Sequence, residues 1–265
     1  MKNININWMK KNFQDECFIM KLDKNKFSKC GEAYQAIFNG PPFYESWTLE
    51  SAKDQILSYI EEEALILVPE YKKQIIGFLI AMSGVPANQK DYVPYPNEEI
   101  RYIEDIGIVN QFRNQQIASE MVRNLLLNFI NTNEVYLAYR TNAMRYFEPQ
   151  KGESFEAGVI RVQSEDSIKR KNNEKITIPE FSQEKKQEFI NRYIELLKYR
   201  PDLDVSNSNA LFRNIFGEIE FCQINGNYTF QADPSQNGND RIFPIIDLSK
   251  KLILSRKDNT KWQIY

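Results

Sequence analysis

Residues 101–131 read RYIEDIGIVNQFRNQQIASEMVRNLLLNFIN, and two periodicities meet inside them. Tyr102, Ile103, Ile106, Ile108 and Val109 form a β-branched and aromatic run that a helix does not prefer, so the stretch begins as a strand. From Ile117 the apolar residues recur at Met121, Val122, Leu125, Leu126, Phe129 and Ile130, the stripe of a helix laying one face on a sheet. Between them Asn110 to Gln116 make a short polar turn. A strand that feeds a tight turn into a helix gathers unpaired backbone N–H groups and the positive end of the helix dipole at one point, which attracts phosphate.

Toward the N-terminus, Cys17 to Leu22 read as a strand and Phe27 to Phe38 as a helix that Gly40-Pro41-Pro42 ends. Thr48, with Ser51 three residues later and Glu50 in the first turn, predicts a capped helix running to about Glu63. Ala64 to Pro69 and Gln74 to Ser83 are apolar runs joined by a polar connector, which predicts two antiparallel strands. The Pro- and Tyr-rich loop from Gly84 to Glu99 then leads into the central strand.

Toward the C-terminus, Glu134 to Tyr139 predict a strand, Ala143 to Phe147 a short helix, and Gly152 to Val162 a turn followed by another strand. The composition turns charged beyond Ser164, which sets a boundary between residues 1–164 and a C-terminal α+β extension, 165–265. Within the extension Ser182 to Tyr199 predict a helix, while Ile215 to Ile224, Tyr228 to Phe230, Ile242 to Leu248 and Leu252 to Leu254 predict short strands.

Composition narrows the chemistry. With 265 residues, 42% of them hydrophobic, the chain can build a sizeable core. Lys+Arg 34 against Asp+Glu 36 leaves a net charge of −2, so no overall field draws the protein to nucleic acid or to an anionic membrane. Three widely spaced cysteines, Cys17, Cys30 and Cys222, fit neither a disulfide framework nor a zinc site. No apolar run is long enough to span a membrane, and a cytoplasmic location is expected. The absence of histidine removes Ser-His-Asp and Cys-His machinery and His-ligated metals, leaving carboxylates, tyrosines and lysines to carry any catalysis.

Arg113-Asn114-Gln115-Gln116-Ile117-Ala118 resembles the pyrophosphate-binding turn of the GNAT superfamily of N-acetyltransferases, Arg/Gln-x-x-Gly-x-Gly/Ala. Arg113 and Ala118 match, and Gln116 stands where the family has glycine. The segment Phe38 to Ile56, with Pro41-Pro42, Phe43, Tyr44, Glu45 and Trp47-Thr48, and the series Asn142, Tyr146, Gly152, Phe155 are also similar to the family, so the resemblance covers Cys17 to Val162. It implies a mixed α/β, GNAT-like fold, with a mainly antiparallel central sheet flanked by helices.

The resemblance implies acetyl-CoA or another acyl-CoA as donor, no metal, and a small-molecule or peptide amine as acceptor. Ile108, Val109, Arg113, Asn114, Gln115, Gln116, Ile117, Ala118, Ser119 and Asn142 would hold the coenzyme, the backbone N–H of Ile108 or Val109 serving the oxyanion and Gly107 easing a bulge beside it. Phe43, Tyr44 and Trp47 would wall the acceptor site. Glu104 would be the general base and Tyr146 the general acid, while alternation along the strand would turn Asp105 to the opposite face. Two other readings stand beside this one: a catalytically silent GNAT-like platform for protein interactions, marked by Gln116, and an acyltransferase for longer-chain thioesters. The oligomeric state, a homodimer included, stays open.

Overall fold

The computed structural model describes residues 17–128, 132–143, 145–172, 174, 176, 179–204, 208–232, 240–250, 255–256 and 262–263. In chain order the elements are β1 (Cys17–Lys21), α1 (Phe27–Phe38), α2 (Leu49–Glu61), β2 (Leu65–Tyr71), β3 (Gln74–Ile75), β4 (Gly77–Ser83), β5 (Ile100–Ile108), α3 (Ile117–Leu126), β6 (Tyr136–Tyr139) and β7 (Thr141–Asn142). They continue with α4 (Phe155–Lys171), α5 (Gln183–Tyr199), α6 (Ser208–Phe216), β8 (Glu220–Phe221), β9 (Gln223–Ile224), β10 (Asn227–Tyr228), β11 (Phe230–Gln231), β12 (Arg241–Ile242) and β13 (Pro244–Asp247). The strand expected at Leu252 to Leu254, and Phe129 and Ile130 of the central helix, lie outside the described residues.

Among the described residues the main sheet runs β1-β2-β4-β5-β6-β13-β8, with β3 pairing on β2. Every pairing in it is antiparallel except β5 with β6, which run parallel from Ile100↔Tyr136 to Ile103↔Tyr139. There β6 ends while β5 continues to Ile108, so the sheet splits along the second half of β5. This is the mixed, mainly antiparallel sheet that the sequence implies, with helices on both faces.

One face packs on α3 and α6, where Ile117, Met121, Val122, Leu125 and Phe212 join Ile103, Leu79 and Leu137. The other packs on α1 and α2, where Tyr34, Ile37, Ile56 and Tyr59 meet Ile66, Phe78 and Ile80. The expected cap of α2 is present: Ser51 N–H donates to Thr48 Oγ1 (3.0 Å) and Thr48 N–H to Ser51 Oγ (3.1 Å).

Beyond β6 the structure corrects the sequence reading. Residues 155–162 are not a strand but the first half of α4, because Ser154 caps the helix by accepting from Ala157 N–H (3.1 Å) and Gly158, Val159, Val162 and Asp166 share one buried face at helical spacing. Described residues 145–150 form no helix. Ile215 and Phe216 end a helix rather than begin a strand. The boundary placed after residue 164 falls inside α4. Nor do the last hundred residues stand apart: β13 inserts between β6 and β8, with Ile245 opposite both Ala138 and Glu220. Along the chain after β6, the next helix on the main sheet is α6 and the next strand to join that sheet is β8, and α4 with α5 is an intervening pair that builds its own core around Tyr146, Phe189, Ile190 and Tyr193.

Candidate active site

The register of β4 on β5 slips once. Ile80 faces Asp105 and Ala81 faces Ile103, so Glu104 is an extra residue, a β-bulge placed where β6 ends. A bulge interrupts the alternation of side chains. As a result Glu104 and Asp105 both line one cleft, which corrects the expectation that Asp105 points away. The bulge lies at Glu104 and not at Gly107, whose missing side chain serves another purpose: a Cβ there would sit 2.8 Å from Ile37 Cγ2 of α1.

This first cleft, about 330 Å³, is walled by Phe43, Glu45 and Trp47 before α2, Tyr34 of α1, Gln55 and Tyr59 of α2, Arg140 and Thr141 after β6, Ser208 and Phe212 of α6, and Arg241 of β12. Arg140 Nη2 donates to Glu104 Oε1 (2.6 Å), and the second oxygen, Oε2, is buried without a partner. Burial pushes the Glu104 carboxyl up and outweighs the opposing pull of Arg140 and Arg241. Burial alone would lower Arg140; Glu104 and its neighbours reverse that and hold the guanidinium charged.

Asp105 is held differently. Tyr34 and Tyr59 donate their hydroxyls to the same oxygen, Oδ2, at 3.1 and 2.9 Å. Among the described residues no hydrogen bond reaches its Oδ1, and the side chain lines the cleft. Burial first, and the Glu104 charge second, push the Asp105 carboxyl up to about 7, against Arg140 and the two tyrosines. Burial and the neighbouring carboxylate also push both tyrosine hydroxyls well above their ordinary range, which keeps them donors.

A second cleft, about 470 Å³, lies on the other side of Phe43, Ile106 and Ser208, which line both. It is bounded by Gly107, Ile108, Arg113, Asn114, Gln116, Ile117, Ala118 and Ser119. Asn114 (φ 61°) and Gln116 (φ 64°) adopt the left-handed conformation, so Gln116 takes up the backbone shape that glycine would supply. Gln116 makes no side-chain cap and is exposed, leaving the first N–H groups of α3 turned toward the cleft. Such a turn fits a diphosphate.

The two backbone donors proposed from the sequence separate here. Val109 N–H is engaged with the carbonyl of Ile76, the residue between β3 and β4 (2.9 Å). Alternation then turns the Ile108 N–H toward the split, where Arg113 Nε already meets the Ile108 carbonyl (3.0 Å), and Ile108 lines the cleft. Arg113 Nη1 also donates to Pro41 carbonyl (2.6 Å), tying the turn to the loop after α1, and burial lowers its pKa.

Other expected residues fall elsewhere. Phe43 and Trp47 wall the first cleft, but Tyr44 (φ 51°) lies outside both linings, its N–H bonded to Gly40 carbonyl (3.0 Å). Gln115 is likewise outside both, and Asn142 sits in β7 opposite Arg241. Tyr146 is 1% exposed in the second core, packed on Phe181 and Phe189, and donates to Asp240; that hydroxyl reaches neither cleft. Cys30 and Cys222 are buried, their thiols pushed up to about 12 by desolvation. Asp105, Tyr34, Tyr59, Arg140 and Ser208 were not singled out from the sequence as site residues. Only the adjacent carboxylates of Glu104-Asp105 gave a signal, and the bulge that unites them leaves no local mark.

The ends of the clefts are held by buried polar contacts. Asp204 accepts from Thr141 Oγ1 (2.8 Å) and caps α6 by accepting from Asn209 N–H (2.8 Å), while Tyr139 donates to Asn209 Oδ1 (2.6 Å). They fix Ser208 and Phe212 over the strand split. Among the described residues no group of three or more Cys, Asp or Glu is arranged to hold a metal ion, and no helix is long and apolar enough to cross a membrane.

No protein-family model and no curated protein matches the sequence. Solved structures give weak likenesses. The ribosomal-protein-S18-alanine N-acetyltransferase from Escherichia coli is 11% identical, with 88% of this chain and 94% of that chain covered and a TM-score of 0.45. An N-acetyltransferase from Staphylococcus aureus Mu50 is 16% identical, covering 88% and 99% respectively with a TM-score of 0.41. A GNAT family acetyltransferase from Brucella melitensis in complex with acetyl-CoA is 13% identical, covering 46% and 74% with a TM-score of 0.38.

Proposed function

We propose that the protein is an acyl-CoA-dependent N-acyltransferase that moves an acyl group, with acetyl as the first choice, to a small primary amine or to the amine of a peptide. One observation carries this reading: two clefts of different chemistry meet at Phe43, Ile106 and Ser208 across the split of β5 from β6, one shaped for an anion and the other holding two carboxylates. An acyl-CoA supplies the activated thioester carbonyl. The turn from Arg113 to Ser119 would hold its diphosphate through backbone N–H groups, and Arg113 would keep that turn against the Pro41 loop. The Ile108 N–H would donate to the developing oxyanion; one preorganised donor of this kind is worth about 3 kcal/mol. One of the two adjacent carboxylates would take the amine's proton.

The cleft sets limits on the acceptor. At about 330 Å³ it is near the lower end of small-ligand pockets, and Trp47, Phe43, Phe38 and Phe212 line it with aromatic rings that would meet an apolar part of the acceptor.

The test is thermal unfolding against acetyl-CoA, a long-chain acyl-CoA and free coenzyme A. A ligand at a hundred times its dissociation constant adds about 2.7 kcal/mol to the native state. Acetyl-CoA should raise the midpoint, and Arg113→Ala should need more of it for the same rise. A folded wild type whose midpoint moves with none of the three would end the acyltransferase reading.

A further inference from the structure

On that reading of the site, we infer that Asp105 rather than Glu104 takes the amine's proton, and that Glu104, clamped to Arg140 across the strand split, is a positioning residue. The geometry separates the two carboxylates. Glu104 has one oxygen committed to Arg140, and its unpartnered oxygen is the one that solvent does not reach. Asp105 has both tyrosines on one oxygen, and among the described residues the other accepts no hydrogen bond while the side chain lines the cleft. Tyr34 from α1 and Tyr59 from α2 grip it from the same side, which aims Oδ1 without occupying it.

Charge supports the same division. The groups facing Asp105 are Tyr34 on α1, Tyr59 on α2, Glu104 beside it on β5 and Arg140 after β6; Glu45 before α2 and Arg241 on β12 complete the cleft wall. Burial and Glu104 raise the proton affinity of Asp105, while Arg140 and the tyrosines restrain it, leaving a value of about 7 where a base is most effective near neutral pH. Glu104 is thus the lever and Asp105 the group that is moved. Two carboxylates this close titrate as a pair, and the opening on the cleft decides which of them exchanges a proton with substrate.

The step balances as follows. An alkylammonium entering the cleft gives one proton to Asp105 Oδ1, and the neutral nitrogen attacks the thioester carbonyl carbon. The new C–N bond forms, the C–S bond breaks, and the second proton lost by nitrogen ends on the departing sulfur. Asp105 then returns its proton to solvent.

The experiment uses the full chain with acetyl-CoA and phenethylamine as the amine probe, follows thiol release from pH 5 to 9, and titrates the carboxyls by NMR with carbon-13-labelled aspartate. Wild type should show one aspartate titrating near 7, absent in Asp105→Asn and moved to lower pH in Glu104→Gln. Removing a neighbouring negative charge and releasing Arg140 both favour the ionised form, so the sign is fixed. In kcat/KM, Asp105→Asn should lose about 100- to 10,000-fold, whereas Glu104→Gln should lose far less and have its acid limb shifted to lower pH. A residue needed only for packing would not move that limb. Acyl-CoA thermal shifts in both variants control for folding and donor binding.

An ordinary titration for every aspartate overturns the inference even if no amine is turned over. So does the reverse pattern, with turnover lost in Glu104→Gln and kept in Asp105→Asn. A wild type that binds no acyl-CoA fails the acyltransferase reading instead, which keeps the two failures distinct.

Discussion

The two clefts that meet at Ile106 are made of different materials. The larger is shaped by backbone: left-handed Asn114 and Gln116, the open start of α3, and the unpaired edge of β5. The smaller is shaped by side chains, with Glu104, Asp105, Arg140, Tyr34 and Tyr59 set against one another. A site made of backbone donors survives replacement of its side chains as long as the dihedral angles survive, which is how Gln116 can stand where glycine is customary. A site made of charged side chains has no such latitude, since each group sets the proton affinity of the next.

That difference is open to attack where it should be most sensitive. Gln116→Pro forces φ near −65° at a position that needs about +64°. Loss of the turn should weaken acyl-CoA binding by roughly a hundredfold, about 2.8 kcal/mol, and calorimetry on the folded variant reads it directly. An unchanged affinity would mean that side chains, not backbone, hold the donor.

Next in size is Gly107→Ala, which probes the wall between α1 and the larger cleft. A Cβ there would lie 2.8 Å from Ile37 Cγ2 and 3.4 Å from Phe78 Cζ, in a core where Ile37 is 1% exposed. Such overpacking should lower stability by about 1–3 kcal/mol, read as a lower denaturant midpoint at constant slope. No loss would show that α1 can shift and that the wall is softer than its packing suggests.

What the sequence discloses follows the same line. The strand, turn and helix around Arg113 are legible because they rest on local periodicity and on a turn pattern, and α2 is legible from Thr48 and Ser51. The smaller cleft is legible only in part. Phe43 and Trp47 do line it, yet the sequence turns Asp105 away from it because a bulge at Glu104 arises from pairing with β4, which no local pattern records. Tyr146 misleads for a different reason: α4 and α5 intervene before α6, so order along the chain no longer matches order in the sheet. The strand expected at 155–162 fails because Phe155, Val159 and Val162 fit a helix spacing that the short apolar run obscures.

A smaller effect tests the side-chain cleft through stability rather than turnover. The folded-state value of Asp105 is raised to about 7 from an ordinary 3.8, so the folded protein holds this proton more tightly than the unfolded chain does. Wild type should therefore lose stability as pH rises through about 4 to 7 as the group ionises in an unfavourable place. Asp105→Asn cannot ionise and escapes the loss. Its melting temperature relative to wild type should thus be higher at pH 8 than at pH 5, by roughly 2–4 °C for each 1 kcal/mol relieved; a gap independent of pH would mean that Asp105 is not perturbed.

The smallest expected effect is that of Gln116→Gly. A non-glycine residue in the left-handed region carries a penalty of roughly 1–2 kcal/mol, because its Cβ crowds the following carbonyl. Glycine removes the penalty but widens the freedom of the unfolded chain, and this takes back roughly 0.4–1 kcal/mol. The two partly cancel, so stability should rise by at most about 1.6 kcal/mol. Acyl-CoA affinity should stay within about threefold, since the same N–H groups face the cleft whichever residue holds the turn. The exposed Gln116 side chain caps nothing, so its removal takes away no contact of the helix start. Calorimetry on the variant and wild type side by side measures both quantities. A gain of tenfold or more in affinity would show that the glutamine side chain obstructs the diphosphate position, and the view of this cleft as a purely backbone device would have to give way.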